Sequence, residues 1–127
     1  MNVKKSIAIA ASSVLLLLVT ACNTDNAGGA NTTGNNGITP EAELLIKASN
    51  YQFDQQQYHL KKDVPVKITF KNDSGYHGVL IPGLRVQLDQ KNDSTVIVPT
   101  EAGEYEVACS IMCGSGHGSM VSTIIVE

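Results

Sequence analysis

The sequence is poor in positive charge and contains no tryptophan. Its 127 residues include nine Lys and Arg against 12 Asp and Glu, which gives a formal net charge of −3. A domain that binds nucleic acid needs a basic surface, so this composition argues against nucleic acid as a partner. The sequence also lacks a Ser–His–acid arrangement, a phosphate-binding loop and paired catalytic carboxylates. It therefore gives no indication of catalysis on a substrate.

Residues 1–21 are predicted to be an export signal rather than part of the fold. Lys4 and Lys5 precede an apolar run over residues 7–19, and small residues end the segment, as in a secretory leader. The run is shorter than the ~20 apolar residues that are needed to cross a bilayer.

Residues 18–22 resemble the lipobox of bacterial lipoproteins. The resemblance implies cleavage before Cys22 and attachment of lipid to its sulfur, and more than one acyl chain gives stable anchoring. The following residues are rich in Asn and Gly and include one apolar residue larger than Ala, so we predict that residues 22–39 form a flexible tether. Together these features place the protein at the extracytoplasmic face of a bacterial cell membrane.

Residues 40–127 are predicted to form one small domain of short β-strands. Apolar and polar residues alternate in several segments that turn residues separate, and there is no long helical pattern. The segments are residues 43–48, 65–70, 77–81, 84–89, 95–98, 104–108 and 121–126. We expect an antiparallel β-sandwich or barrel. The last two segments would be adjacent strands, joined by a loop at one pole.

That loop contains two thiols, an imidazole and a thioether. These groups belong to Cys109, Cys113, His117 and Met120. Such soft and borderline ligands suit copper better than they suit calcium, magnesium or manganese. With Cys22 assigned to lipid, the two loop cysteines remain as a pair. In an exported protein a pair of this kind usually forms a disulfide.

Several kinds of metal site could also use these side chains, together with His77. A tetrahedral zinc site would take two Cys and two His and leave Met120 unused. A single blue-copper ion would take one Cys, two His and Met120 and leave Cys109 unused. Two thiolates can instead bridge two copper ions, with one imidazole on each and weak ligation by Met120 and a backbone carbonyl. Met112 has no role in this arrangement, and we predict that it packs within the loop.

The spacing Cys-x3-Cys-x3-His-x2-Met over residues 109–120, preceded by His77, resembles the copper-A domain of cytochrome c oxidase subunit II. Three further segments are similar to parts of that family, namely residues 75–84, 101–105 and 121–127. The resemblance spans about residues 48–127. It implies a cupredoxin fold, which is an all-β Greek-key sandwich, with a dinuclear mixed-valence copper centre.

The resemblance also implies a role for each ligand. The implied ligands are His77, Cys109, the backbone carbonyl of Ile111, Cys113, His117 and Met120. The two cysteines would bridge two copper ions, each histidine would bind one ion, and the methionine would be a weak ligand. Such a centre passes single electrons, and the implied partner is a c-type cytochrome or a terminal oxidase. Because cysteines must be reduced to take up metal, a copper-loading partner is also expected.

The chain departs from the family in three ways. Ile111 stands where the family usually has a Glu that helps to bind magnesium, and isoleucine offers only its carbonyl. The two transmembrane helices that normally precede the domain are replaced by the predicted lipid anchor and tether. Val79 stands about where the family carries a tryptophan, so Tyr76 and Tyr105 are the remaining candidates for aromatic contact surface.

Two functional alternatives to an electron carrier remain from the sequence. One is a protein that stores copper or passes it to another site. The other is a metal-free interaction module with a disulfide between Cys109 and Cys113. His59 has no partner by pattern, and we predict that it is a surface residue.

Overall fold

The computed structural model describes residues 37–127, which form two packed β-sheets. The strands are β1 Ala42–Ser49, β2 Gln52–Phe53, β3 Gln57–Leu60, β4 Val66–Asn72, β5 Val79–Ile81, β6 Val86–Leu88, β7 Ser94–Ile97, β8 Gly103–Ala108 and β9 Val121–Val126. Short 3-10 helices lie at Pro82–Leu84 and His117–Ser119. The predicted export signal, the lipidation site at Cys22 and most of the tether lie outside the described residues.

One sheet has the strand order β2-β1-β4-β7, and the other has the order β3-β9-β8-β5-β6. β2 belongs to the first sheet and β3, the next strand in sequence, belongs to the second. The chain therefore crosses from one sheet to the other between these two strands. Within residues 37–127 no helix is long and apolar enough to span a membrane. The predicted all-β sandwich is confirmed.

Alternating apolar residues build the core between the sheets. On β4, Val66, Ile68 and Phe70 are buried, and on β9, Ile124 and Val126 are buried, as the period-2 patterns predict. Fully burying one such side chain stabilises the fold by about 1.5–3 kcal/mol. The same core cluster continues to one end of the sandwich, where it includes two residues of the predicted ligand loop.

The prediction of purely antiparallel pairing is wrong, since both sheets are mixed. β1 pairs with β4 in parallel, from Ala42 opposite Val66 to Ala48 opposite Asn72, and β3 pairs with β9 in parallel. Alternation in the sequence determines which face of a strand is buried but not the direction of its neighbour. The segment between β1 and β4 is also long enough for the crossover that parallel strands require.

Two predicted strand segments begin later than expected. The segment at residues 77–81 is a strand only over Val79–Ile81, so His77 precedes β5 rather than lying on it. The segment at residues 84–89 is a strand over Val86–Leu88, after a 3-10 turn and a left-handed Arg85 (φ 56°). The ring of Pro82 fixes its own φ angle at the start of that turn. The Arg85 N–H donates to the Pro82 carbonyl at 3.1 Å.

Candidate metal centre

The predicted ligand loop leaves the sandwich at Ala108 and returns at Val121. β8 and β9 are antiparallel neighbours, and Ala108 opposite Val121 is their last pair before the loop. Just beyond that pair the Cys109 N–H donates to the Met120 carbonyl at 3.2 Å. The first and last candidate ligands of the loop are therefore held side by side at the base of the loop, at the ends of two strands as predicted.

His77 reaches the loop from the segment just before β5. This strand pairs with β8 through Leu80 and Ala108, and Ser110 N–H donates to the Gly78 carbonyl at 3.3 Å. The contact places the imidazole Nδ1 of His77 at 3.8 Å from Cys109 Sγ. His77 is fully buried, so this nitrogen faces the thiol inside the protein rather than solvent.

The two thiols lie close together without being bonded. Cys109 Sγ and Cys113 Sγ are 3.7 Å apart, whereas a disulfide requires about 2.05 Å. The Cys109 thiol also donates to the Ile111 carbonyl at 3.2 Å. Burial raises the pKa of the Cys113 thiol, and its hydrogen bond with Cys109 and the charge on Cys109 act in the same direction. A metal that binds here must therefore displace a thiol proton.

The second imidazole lies beside the second sulfur. His117 begins the short 3-10 helix of the loop, and its Nδ1 is 3.7 Å from Cys113 Sγ. Met120 follows that helix and is fully buried. Each cysteine thus has one histidine nitrogen next to it, and the methionine lies at the buried base of the loop.

The donor atoms fit metal coordination. Two sulfurs that each lie ~2.3 Å from one tetrahedral ion are separated by about 3.8 Å, and a sulfur and an imidazole nitrogen on one ion by about 3.5–3.7 Å. The observed separations of 3.7 and 3.8 Å agree with these values. Donor atoms of His77, Cys109 and Cys113 all lie within 4.8 Å of one another. His117, which lies beside Cys113, is outside that group within the described part of the chain.

Two residues that the sequence did not indicate also reach the site. Tyr51 lies edge-on to His77, with ring centroids 6.3 Å apart and an interplanar angle of 89°. A Cβ at Gly116 would overlap the Tyr51 ring, so the aromatic side chain packs directly on the ligand loop. Asn50 lies beside the other nitrogen of His77, with Oδ1 at 3.0 Å from Nε2. Both residues come from the turn after β1, which has no spacing relation to the ligand pattern.

The prediction that Met112 packs within the loop is wrong, because its side chain is 82% exposed. The backbone there directs the Ile111 carbonyl and the Cys113 sulfur inward, which leaves the intervening side chain pointing outward. The exposed thioether of Met112 therefore lies next to a candidate ligand. Val79, unlike Met112, is fully buried in the core.

The two tyrosines proposed as contact surface differ from each other. Tyr76, next to His77, is 59% exposed. The Tyr105 hydroxyl donates to the Glu101 carbonyl at 2.8 Å and so holds the start of β8. His59 is exposed and pairs with the Glu127 carboxylate at 3.3 Å, which agrees with its prediction as a surface residue.

Comparison with known proteins places this chain in a family. The Cupredoxin-like domain family matches residues 9–122. The alternative cytochrome c oxidase subunit 2 of Bradyrhizobium diazoefficiens is 29% identical over 72 residues, which cover 54% of this chain and 26% of that protein. The chain therefore spans about a quarter of the length of this curated relative.

Two solved structures share the fold. The periplasmic domain of cytochrome oxidase subunit II from Bradyrhizobium japonicum superposes with a TM-score of 0.64 at 13% identity, over 71% of this chain and 86% of that chain. A chain of a heme-copper terminal oxidase dimer superposes with a TM-score of 0.59 at 26% identity, over 67% of this chain and 64% of that chain. The resemblance to oxidase subunit II is confirmed, and the chain belongs to the cupredoxin-like domain family.

Proposed function

We propose that this chain is an electron-transfer protein that carries a dinuclear copper centre of the copper-A type. The observation that carries the proposal is the arrangement of four donor atoms in two pairs. The thiols of Cys109 and Cys113 lie 3.7 Å apart, and each has a different imidazole nitrogen at 3.7–3.8 Å. Two bridging thiolates with one imidazole on each metal fit these distances. One tetrahedral ion needs all four donor atoms to be mutually close, and His117 lies outside the group of close donor atoms in the described residues.

The proposed ligands each have a defined task. They are His77, Cys109, the Ile111 carbonyl, Cys113, His117 and Met120. The two sulfurs would be shared, one histidine would complete each half of the centre, and the carbonyl and the thioether would be weak ligands. The Ile111 carbonyl already lies 3.2 Å from Cys109 Sγ, and Met120 is fully buried beneath the loop.

The protein around the ligands suits electron transfer. When bound, the centre would take up and release single electrons. Cys109 and Met120 belong to the buried core cluster, and His77 is also fully buried. The closely packed interior resists displacement of these side chains. The hydrogen bond between Cys109 N–H and the Met120 carbonyl fixes the two ends of the loop. A rigid ligand set keeps atomic movement small when the charge of the centre changes.

Tyr51 is the aromatic residue that best connects the proposed centre with a partner. It is 37% exposed and lies edge-on to the buried His77, so it has one side toward solvent and one side toward a ligand. Tyr76 adds exposed aromatic surface beside the same histidine. Tyr105 is occupied in holding the start of β8, and we assign it no part in the contact.

The proposed partners are redox proteins outside the cytoplasm, either a c-type cytochrome or a terminal oxidase. The similarity to oxidase subunit II proteins supports this choice. Ile111 provides no carboxylate for a magnesium site shared with a large oxidase subunit. The proposed attachment is a lipid on Cys22 at the extracytoplasmic face of the cell membrane, and the exported cysteines would depend on a reducing or copper-loading partner.

A second function, the transfer of copper to another protein, is favoured by one feature. Met112 is 82% exposed and precedes Cys113, and an exposed thioether is a suitable first ligand for Cu(I). In a copper-transfer protein, Met112→Leu would slow delivery of copper to an acceptor. In an electron carrier, the same substitution would leave the electron-transfer rate unchanged once the copper is bound.

The proposal is tested by reducing the cysteines, loading the protein with copper and recording the paramagnetic resonance spectrum of the oxidised, mixed-valence form. We expect hyperfine structure from two equivalent copper nuclei, and we expect Cys113→Ser to abolish it. A spectrum from one nucleus would instead identify a blue-copper protein. Retention of colour and metal stoichiometry in Cys113→Ser, or a protein that holds no copper at all, would overturn the dinuclear centre.

A further inference from the structure

His77 is held on both sides of its ring. Its Nδ1 faces Cys109 Sγ at 3.8 Å, and its Nε2 lies 3.0 Å from the side-chain oxygen of Asn50. The ring is fully buried, so water does not replace either partner. A neutral imidazole has one N–H and one lone pair. Since the Asn50 oxygen can only accept a hydrogen bond, Nε2 must carry the hydrogen and Nδ1 must carry the lone pair.

The structure around Asn50 is shaped for this contact. Asn50 follows the last residue of β1, and its backbone N–H donates to Ser74 Oγ at 3.3 Å. A Cβ at Gly75 would overlap Asn50 Oδ1 and lie 2.6 Å from His77 Nε2. Gly75 also has a φ of +79°, a conformation that favours glycine. Its carbonyl accepts a hydrogen bond from Asn72 Nδ2 at 2.7 Å, so the turn is fixed over the Asn50–His77 pair.

We propose that Asn50 is a positioning residue that fixes the tautomer and orientation of His77 before any metal binds. By accepting the Nε2 hydrogen, Asn50 leaves the Nδ1 lone pair aimed at the thiols. Histidines that ligate metals commonly donate their second ring N–H to such a partner, and loss of the partner typically weakens metal binding 10–100-fold. The part of this inference that concerns copper rests on the proposed function, but the tautomer is a property of the metal-free protein.

The tautomer can be measured directly by nitrogen NMR on the reduced, metal-free protein with isotope-labelled histidine. Wild type is expected to show His77 as the neutral Nε2–H form, with a slowly exchanging ring hydrogen. Observation of the Nδ1–H form in wild type would overturn the proposal, and this measurement needs no variant to fold.

Three variants separate the hydrogen bond from the packing. Asn50→Leu keeps the size of the side chain and removes the acceptor, and it should mix the two tautomers and speed exchange of the ring hydrogen. Asn50→Asp keeps an acceptor oxygen and should restore the Nε2–H form. Asn92→Leu changes an exposed asparagine on the turn before β7 and should change neither property. An unchanged His77 tautomer in Asn50→Leu would contradict the proposal.

Copper release to a strong chelator supplies the second measurement. We expect release about 10–100-fold faster from Asn50→Leu than from wild type, with Asn50→Asp close to wild type. If the protein binds no copper, the proposed function fails while the tautomer result still decides the role of Asn50. If two coppers bind and Asn50→Leu releases them at the wild-type rate, the role of Asn50 fails and the proposed function stands.

Discussion

His77, at the loop end of the sandwich, and His59, toward the other end, differ in burial and in their hydrogen-bond partners. His77 lies at the loop end, is fully buried, and has a partner at each ring nitrogen. His59 lies on β3 opposite Ile125, toward the other end of β9. Its side chain is 58% exposed and it pairs with one carboxylate, that of Glu127, at 3.3 Å.

The difference shows how the fold restrains His77 but not His59. A surface histidine with one exposed carboxylate partner is free to change its rotamer and tautomer. A buried histidine between an amide oxygen and a thiol has one orientation and one lone pair available. His77 is therefore held in place in the metal-free protein, whereas His59 is not.

Removing each histidine in turn should give the largest difference in copper affinity between the two ends. His77→Ala should weaken copper binding more than about 100-fold, because loss of a ligand exceeds the 10–100-fold effect of losing a supporting partner. His59→Ala should leave copper binding unchanged. Competition of the reduced protein with a Cu(I) chelator measures both, and equal affinities for the two variants would remove the distinction between the two ends.

Substitutions at two glycines of the ligand loop test how tightly the loop end is packed. A Cβ at Gly116 would overlap the base of the Tyr51 side chain, with Cδ2 at 2.6 Å, and the near end of a side chain cannot swing away. Gly116→Ala should therefore destabilise the reduced, metal-free protein by about 1–3 kcal/mol. Urea unfolding at constant m-value measures the change.

Gly118 is the matched control, because a Cβ there meets nothing within 4 Å. Gly118→Ala should be neutral or stabilise the protein by about 0.4–1 kcal/mol through the unfolded chain. Equal destabilisation by the two substitutions would show that Tyr51 does not pack on the loop as described.

A partly buried polar contact joins β3 to the residue that follows β2, and Tyr58→Phe tests it. The Tyr58 hydroxyl donates to Asp54 Oδ1 at 2.7 Å, and the same oxygen accepts from Lys47 N–H at 2.8 Å. Because Asp54 keeps one donor in the variant, the expected loss is about 0.5–1.5 kcal/mol.

This loss should depend on pH. Burial raises the pKa of Tyr58, and the hydrogen bond to Asp54 and its charge add to the shift. A folded pKa above the unfolded value means that the stabilisation is complete below about pH 10 and is lost as the pH rises further. Urea unfolding should therefore show the gap between wild type and Tyr58→Phe narrowing above about pH 10. A gap that widens there would contradict the assigned contact.

The smallest effect is expected from the ion pair of His59 with Glu127. Both side chains are mostly exposed, and exposed pairs contribute less than about 1 kcal/mol. Thermal unfolding of Glu127→Gln should match wild type within that limit, with an even smaller difference at high salt. A larger loss would mean that the far end depends on this pair more than its exposure suggests.

The sequence predicted the strands whose apolar residues alternate and the loop whose ligands are close in sequence. β4 and β9 were found because each has a clear buried face. Cys109 and Met120 lie just outside the ends of β8 and β9. The loop over residues 109–120 was predicted to hold ligands because two thiols, an imidazole and a thioether fall within it. These are local signals, and they do not depend on the tertiary arrangement.

The parts that the sequence missed depend on distant contacts. β2 and β3 lie in a glutamine-rich segment with too few apolar residues to show alternation. The parallel direction of β3 is set by β9, its partner far along the chain. Asn50 and Tyr51 reach His77 only because β1 and the turn after it end at the same pole. Met112 was misjudged because its exposure depends on how the loop backbone turns around the two sulfurs.

The most direct measurement of the central claim is X-ray absorption at the copper edge of the fully loaded protein. The account predicts sulfur and nitrogen neighbours together with a second copper at bonding distance, since Cys109 and Cys113 would be shared by both ions. A spectrum with sulfur and nitrogen neighbours but no copper neighbour would contradict it.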